Sequence, residues 1–208
     1  MTPGRLITLE GGEGAGKSTV AAGLVAALRD DGLSVVQTRE PGGSPLAEAL
    51  RALVIQSWDE GMAPETEALL MSAARAAHWR SLIAPALVKG QWVICDRFID
   101  STAAYQGSAG VPDAALEALM QLAVEGRKPD LTLLIDVDPA VGLARARQRG
   151  DVNRFESATQ ARHAAIRACF LARAAAEPER FHVIDGSLSA EQVMAAALAA
   201  VRSLRNRG

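Results

Sequence analysis

Cysteine is scarce in this chain: Cys95 and Cys169 are the only two in 208 residues. They lie far apart in sequence, make no disulfide framework and no paired metal-ligand spacing, and both read as small buried hydrophobes. Histidine is nearly as sparse, and His78, His163 and His182 form no motif. Aromatic residues make up 4%. A sandwich of short aromatic-rich strands is therefore disfavoured, and the abundance of alanine favours helix. Neither sign of charge dominates. Lys plus Arg is 22 and Asp plus Glu is 24, a formal net charge of −2. Such a chain has no general attraction for nucleic acid or an anionic membrane, so a bound anion must be held by a local cluster of donors. No apolar run approaches the roughly 18 residues a membrane helix needs. The opening MTPGRLITLEGG lacks a basic region followed by a long apolar run and a small-residue cleavage site, so the expected location is cytoplasmic. What is present is enough for a core: hydrophobic residues reach 49% against 22% charged. The length suits a single domain spanning residues 1–208, and no repeat or low-complexity linker divides it.

Short apolar runs alternate with longer helical patterns. Residues 5–10 (RLITLE), 33–38 (LSVVQT), 91–95 (QWVIC), 131–137 (LTLLIDV) and 181–185 (FHVID) read as five strands. Residues 17–31 read as a helix stopped by Gly32. A Pro-Gly-Gly-Ser-Pro loop at 41–45 opens another through about residue 57. Residues 65–89 read as one long helix bent near its end by Pro85, and a last helix covers about 190–204. Nearly continuous apolar strands with helical crossovers imply an α/β fold of three layers, a five-stranded parallel sheet covered by helices on both faces. Ligands of such sheets bind beyond the C-terminal ends of the strands.

Two strand ends carry the chemistry. After the first strand, Gly11, Gly12, Glu13, Gly14, Ala15, Gly16, Lys17 and Ser18 fit GxxxxGK[ST], with Thr19 following, and the run opens a helix. Backbone N–H groups of such a loop turn inward around phosphate, and the helix N-terminus adds partial positive charge. Lys17 can reach the outer phosphates, and the Ser18 hydroxyl can ligate Mg²⁺. This establishes a nucleoside triphosphate site, which GTPases and regulatory ATPases share. No Asn-Lys-x-Asp stretch supports guanine recognition. The third strand runs into Asp96-Arg97, where the Asp is placed to hold Mg²⁺ directly or through water and the Arg to bind phosphate. The second strand ends in Thr38-Arg39-Glu40-Pro41-Gly42-Gly43. Two ligand-ready loops at neighbouring strand ends imply a second substrate beside the triphosphate.

Taken together, GGEGAGKST, TREPGG, the AAR at 73–75, DRFIDSTAAYQG, PDLTLLIDVDP and RARQRGDVNRFE resemble the bacterial type of thymidylate kinase, in the expected order over nearly the whole chain. The resemblance implies phosphoryl transfer from Mg·ATP to thymidine 5′-monophosphate (dTMP), giving the diphosphate and feeding dTTP synthesis. It also implies the five-stranded nucleoside monophosphate kinase fold and a homodimer. It gives Lys17, Arg149, Arg97 and Glu13 catalytic roles. Glu13 would meet the sugar 3′-hydroxyl and Mg²⁺, and Arg97 and Arg51 the acceptor phosphate. Arg75 would hydrogen-bond the thymine carbonyl, Ser101 and Thr102 the base edge, and Tyr105 would fill the space of a ribose 2′-hydroxyl. Pro41 falls near the base, and Glu40 and Gln106 belong to the same pocket. One position departs from the family: Met71 stands where the base-stacking phenylalanine is expected, four residues before Arg75.

Arg145, Arg147, Arg149 and Arg154 crowd the segment 145–156, with Gly150 as a hinge. A solvated helix end is one reading of the charge, and Gly150 favours a mobile segment instead. The resemblance makes it a lid over ATP, in which Arg145 and Arg149 contact the nucleotide and Arg149 supplies the catalytic cation. Two rival readings stay open on the residues themselves. One is a kinase for a different nucleoside monophosphate. The other is an ATP-driven switch or partitioning protein, in which the 96–107 segment would have no evident role.

Overall fold

The computed structural model describes residues 4–148 and 159–206. Five strands form one all-parallel sheet in the order β2-β3-β1-β4-β5. They are β1 (Leu6–Glu10), β2 (Val35–Arg39), β3 (Trp92–Asp96), β4 (Leu131–Asp136) and β5 (Phe181–Asp185). Nine helices connect and cover them within the described residues: α1 (Lys17–Asp30), α2 (Pro45–Ile55), α3 (Pro64–His78), α4 (Ala84–Val88), α5 (Ile99–Tyr105), α6 (Asp113–Val124), α7 (Pro139–Gln148), α8 (Gln160–Ala176) and α9 (Ala190–Asn206). All five expected strands are present, and the three-layer parallel fold is as the sequence implies.

Strand alternation sorts β1 between two cores. Ile7 and Leu9 pack with Leu24, Leu28, Ile135 and Val201 beneath α1 and α9. Leu6 turns the other way, with Ile83, Val93, Phe98 and Val124 beneath the turn after α3 and beneath α6. Thr8 shares that second face and bonds Thr132 of β4 through their hydroxyls at 3.0 Å. No helix among the described residues is long and apolar enough to cross a membrane.

Most boundaries shift by a residue or two from the sequence reading. β2 begins at Val35 because residues 31–34 are spent on the turn that closes α1, where the Leu33 N–H bonds the Leu28 carbonyl. β3 runs one residue further, to Asp96, which pairs with Arg39. The expected helix over 65–89 is divided into α3, a π-turn (Trp79–Ile83) and α4. Pro85 has no N–H to give the carbonyl four residues back. The wider turn is seen directly, since the Ala84 N–H reaches the Trp79 carbonyl five residues back.

Candidate active site

The loop after β1 wraps into α1 with Gly14 and Gly16 in the left-handed region (φ 69° and 92°), where side chains are disfavoured. A Cβ on Gly14 would run into the Gly142 carbonyl, and one on Gly142 into the Glu13 carbonyl. The phosphate loop thus rests backbone to backbone on α7. Lys17 is buried, and its Nζ donates to the Gly11 and Gly12 carbonyls at 3.1 and 2.7 Å. Burial, together with the nearby Arg97 charge, brings this ammonium down to about 8.

The Ser18 hydroxyl donates to Asp96 Oδ2 at 2.7 Å, while Asp96 Oδ1 is buried without a partner among the described residues. A hydroxyl beside a carboxylate with a spare oxygen is the hard-oxygen pair that Mg²⁺ takes while keeping several waters. The residues present therefore fit the cation.

Arg97 stands between the loop and the neighbouring cleft. Its φ of 69° is unusual for a residue with a side chain. Two bonds hold it there: the Arg97 N–H to the Leu9 carbonyl at 2.9 Å, and the Phe98 N–H to Glu10 Oε1 at 2.8 Å. The guanidinium donates to the Gly11 carbonyl, to Ser101 Oγ and, at 2.8 Å, to Glu13 Oε1. The same carboxylate oxygen accepts the Tyr105 hydroxyl at 2.7 Å. Burial alone would raise the Glu13 pKa. The charges of Arg97 and Lys17 and the Tyr105 bond outweigh it and hold the carboxyl at about 2. Burial pushes the Tyr105 phenol well up, so it remains a donor.

A cleft with an empty volume of about 550 Å³ opens beside this group. Glu13, Glu40, Pro41, Arg51 and Met71 line it, with Arg97, Ser101, Tyr105 and Gln106 opposite. Nine residues assigned from sequence to the acceptor thus come together around one space. Ile55, at the end of α2, completes the wall. Nothing in the sequence marked it out, because an apolar residue closing an amphipathic helix looks the same facing a ligand or a core. Arg51 Nη1 is steadied by the Pro41 carbonyl at 3.0 Å.

Arg75 and Thr102 are not in that wall. Arg75 lies one layer behind, 1% exposed, donating to Glu40 Oε2 at 2.7 Å, Thr102 Oγ1 at 2.9 Å and the Phe98 carbonyl at 2.9 Å. Glu40 also meets His78 Nδ1 at 3.1 Å, and His78 Nε2 meets Thr38 Oγ1 at 2.7 Å. Glu40, His78 and Cys95 bring ligand atoms within 4.8 Å of one another. Their bonds to Arg75, to Thr38 and, from Cys95, to the Arg97 carbonyl already occupy them. The sequence reading missed Glu67 and the part His78 takes here. Both belong, with Met71 and Arg75, to a buried stripe at 67, 71, 75 and 78 on α3. That helical spacing was the available signal.

A second cavity, of about 760 Å³, lies behind the loop between Thr19, Arg145, Gly186, Leu188 and Met194. Arg145 Nη1 donates to the Gly186 carbonyl at 3.0 Å. Arg149, Gly150 and Arg154, and with them most of the 145–156 segment, lie outside the described residues.

A phosphate loop with a Mg²⁺-suited Ser–Asp pair, beside a separate cleft carrying arginines, defines a P-loop phosphotransferase with a small second substrate. The chain matches the thymidylate kinase family profile over residues 9–197. It is 50% identical over 191 residues to the thymidylate kinase of Alcanivorax borkumensis, covering 91% of this chain and 92% of that one. It is 49% identical over 205 residues to that of Pseudomonas fluorescens, covering 98% of each. The crystal structure of thymidylate kinase from Ehrlichia chaffeensis superposes with a TM-score of 0.75 at 32% identity, covering 97% of this chain and 99% of that one. The chain belongs to the thymidylate kinase family. Its activity is ATP-dependent phosphorylation of dTMP to dTDP.

Proposed function

We propose that the 550 Å³ cleft is the dTMP site, that the loop over Gly11, Gly12, Glu13, Gly14, Ala15, Gly16, Lys17, Ser18 and Thr19 holds the ATP phosphates, and that the cavity beside Arg145 takes the adenosine end. One observation carries this reading. Arg97 bonds the Gly11 carbonyl of the loop and also lines the cleft, so a single cation faces both the donor and the acceptor.

The attacking atom is a phosphate oxygen of the monophosphate. It is largely ionised at neutral pH, since its second pKa is about 6. No protein base has to remove a proton. The residues have two tasks, placing the reactants in line and supplying positive charge where it accumulates. Lys17 leaves the loop carbonyls for the outer phosphates of ATP. Arg97 and Arg51 draw the acceptor phosphate toward it, and Arg149 adds charge at the transferred group. Mg²⁺, held by Ser18 and Asp96, neutralises charge on the phosphates when bound. Glu13 accepts from the sugar 3′-hydroxyl while Tyr105 closes the space a ribose 2′-hydroxyl would need. Ser101 and Gln106 meet the base edge beside Met71, Pro41 and Glu40, with Thr102 and Arg75 supporting them from behind.

We further propose a homodimer in the cytoplasm, where the free thiols Cys95 and Cys169 suit a reducing compartment. The test of the substrate reading is coupled ADP release with Mg·ATP across dTMP, dUMP, dCMP, dGMP and UMP. dTMP should give the largest kcat/KM, with no turnover once Mg²⁺ is chelated. Stimulation by another monophosphate but not by dTMP would refute the acceptor assignment.

A further inference from the structure

Gln106 lies just past α5, 1% exposed, and forms part of the cleft wall. The two ends of its amide have different fates. Nε2 donates to Oε1 of Glu67, a buried residue of α3 that is not itself in the cleft wall. Oε1 of Gln106 is buried with no partner among the described residues.

A carboxylate can only accept hydrogen bonds, whereas an amide donates at one end and accepts at the other. Turning the Gln106 amide over would set its oxygen against the Glu67 carboxylate, acceptor against acceptor. Glu67 therefore fixes which way round the amide sits, and it leaves Gln106, a residue of the cleft wall, with its oxygen unpaired. A buried acceptor left unpaired is costly, so whatever fills the cleft must bring a hydrogen to it. Among pyrimidines, N3 of thymine and uracil carries that hydrogen. N3 of cytosine carries a lone pair and would repel the oxygen.

We propose that Glu67 is a positioning residue that sets the polarity of Gln106 and so makes the acceptor site select a pyrimidine with N3–H, thymine over cytosine. The proposal rests on the cleft being the acceptor site. Sites built to pair a ligand hydrogen discriminate far more strongly than apolar pockets do, because the wrong ligand strands a buried polar group.

The experiment compares kcat/KM for dUMP and dCMP, which differ only along the N3 and C4 edge. In Glu67→Gln the new amide can donate to Gln106 Oε1, freeing Gln106 to present Nε2 to the cleft. The dUMP/dCMP ratio should fall at least about tenfold, through the pyrimidine KM, with the ATP KM unchanged. Glu67→Asp keeps a carboxylate and should hold the ratio near that of the wild type, whereas a merely structural role would respond to both changes alike. Gln106→Leu should raise the dTMP KM and abolish any further effect of Glu67→Gln on the ratio. If Glu67→Gln does not fold, Glu67→Met also releases the amide and should shift the ratio the same way. A ratio unchanged within twofold in the Glu67 variants, while Gln106→Leu raises the dTMP KM, overturns the role of Glu67 alone. A dTMP KM indifferent to both Gln106→Leu and Arg51→Ala overturns the cleft assignment, and the proposal falls with it.

Discussion

Met71 does two jobs that usually exclude one another. It is 7% exposed, as a core residue would be, and yet it is part of the cleft wall. A thioether against an aromatic ring is worth about 0.3–1.5 kcal/mol, a range that overlaps that of an aromatic pair. Met71→Ala should therefore raise the dTMP KM several-fold with little change in the ATP KM. Met71→Phe should leave the dTMP KM similar or lower. If Met71→Ala lowers the melting temperature while the dTMP KM stays put, the side chain serves packing alone. How much could be read at this scale depended on sequence separation. The phosphate loop is a contiguous string, and Asp96, Arg97, Ser101 and Tyr105 fall in one short segment, so spacing exposed them. Gln106 and Glu67 meet across 39 positions, and His78 and Glu40 across 38. Only a fold brings such pairs together, so neither the amide orientation nor the Thr38–His78–Glu40–Arg75 chain was legible.

Among the secondary-structure elements, the carboxylate that ends β1 has the largest consequence. Glu10 is fully buried, accepting the Phe98 N–H and, at 2.6 Å, the Ser101 hydroxyl. Burial, reinforced by the Asp100 charge, raises its pKa to about 7. The folded chain then binds a proton that the unfolded chain has released across the window from about 4.5 to about 7. The stability this contributes is complete below that window and is lost as pH rises through 7. Glu10→Gln keeps one acceptor and never ionises. The melting temperature of the variant minus that of the wild type should therefore grow between pH 5 and pH 8, by about 5 °C. A difference independent of pH, followed by circular dichroism, would show that Glu10 stays ionised throughout. The strands that carry Glu10, Arg39 and Asp96 were legible because short apolar runs bounded by turn residues have few other readings. The break after α3 was less so. A helical pattern continues through Pro85, and only backbone geometry shows the wider turn that accommodates it.

At the scale of the whole molecule, the acceptor half is asymmetric. α3 turns Glu67, Met71, Arg75 and His78 inward, while Leu69 on the same helix is 58% exposed. Its packing neighbours do likewise, with Leu46 of α2 at 63% and Leu122 of α6 at 79%. Single exposed leucines are ordinary, and these three, on helices packed in sequence, are the residues that a subunit contact on this side would cover. We propose that a second copy covers them, since a two-fold axis would set the same three helices against themselves with no new chemistry. On the proposed acceptor assignment, the dimer would brace α3 from outside while its inner face would hold the base, linking assembly to acceptor binding and not to ATP. Sedimentation equilibrium should give twice the chain mass of 21.8 kDa for the wild type. Leu69→Asp combined with Leu122→Asp should give the single-chain mass, with a dTMP KM raised several-fold and an ATP KM nearly unchanged. A double variant that stays at twice the chain mass would place the interface elsewhere. One that becomes a monomer with an unaltered dTMP KM would separate assembly from the acceptor site.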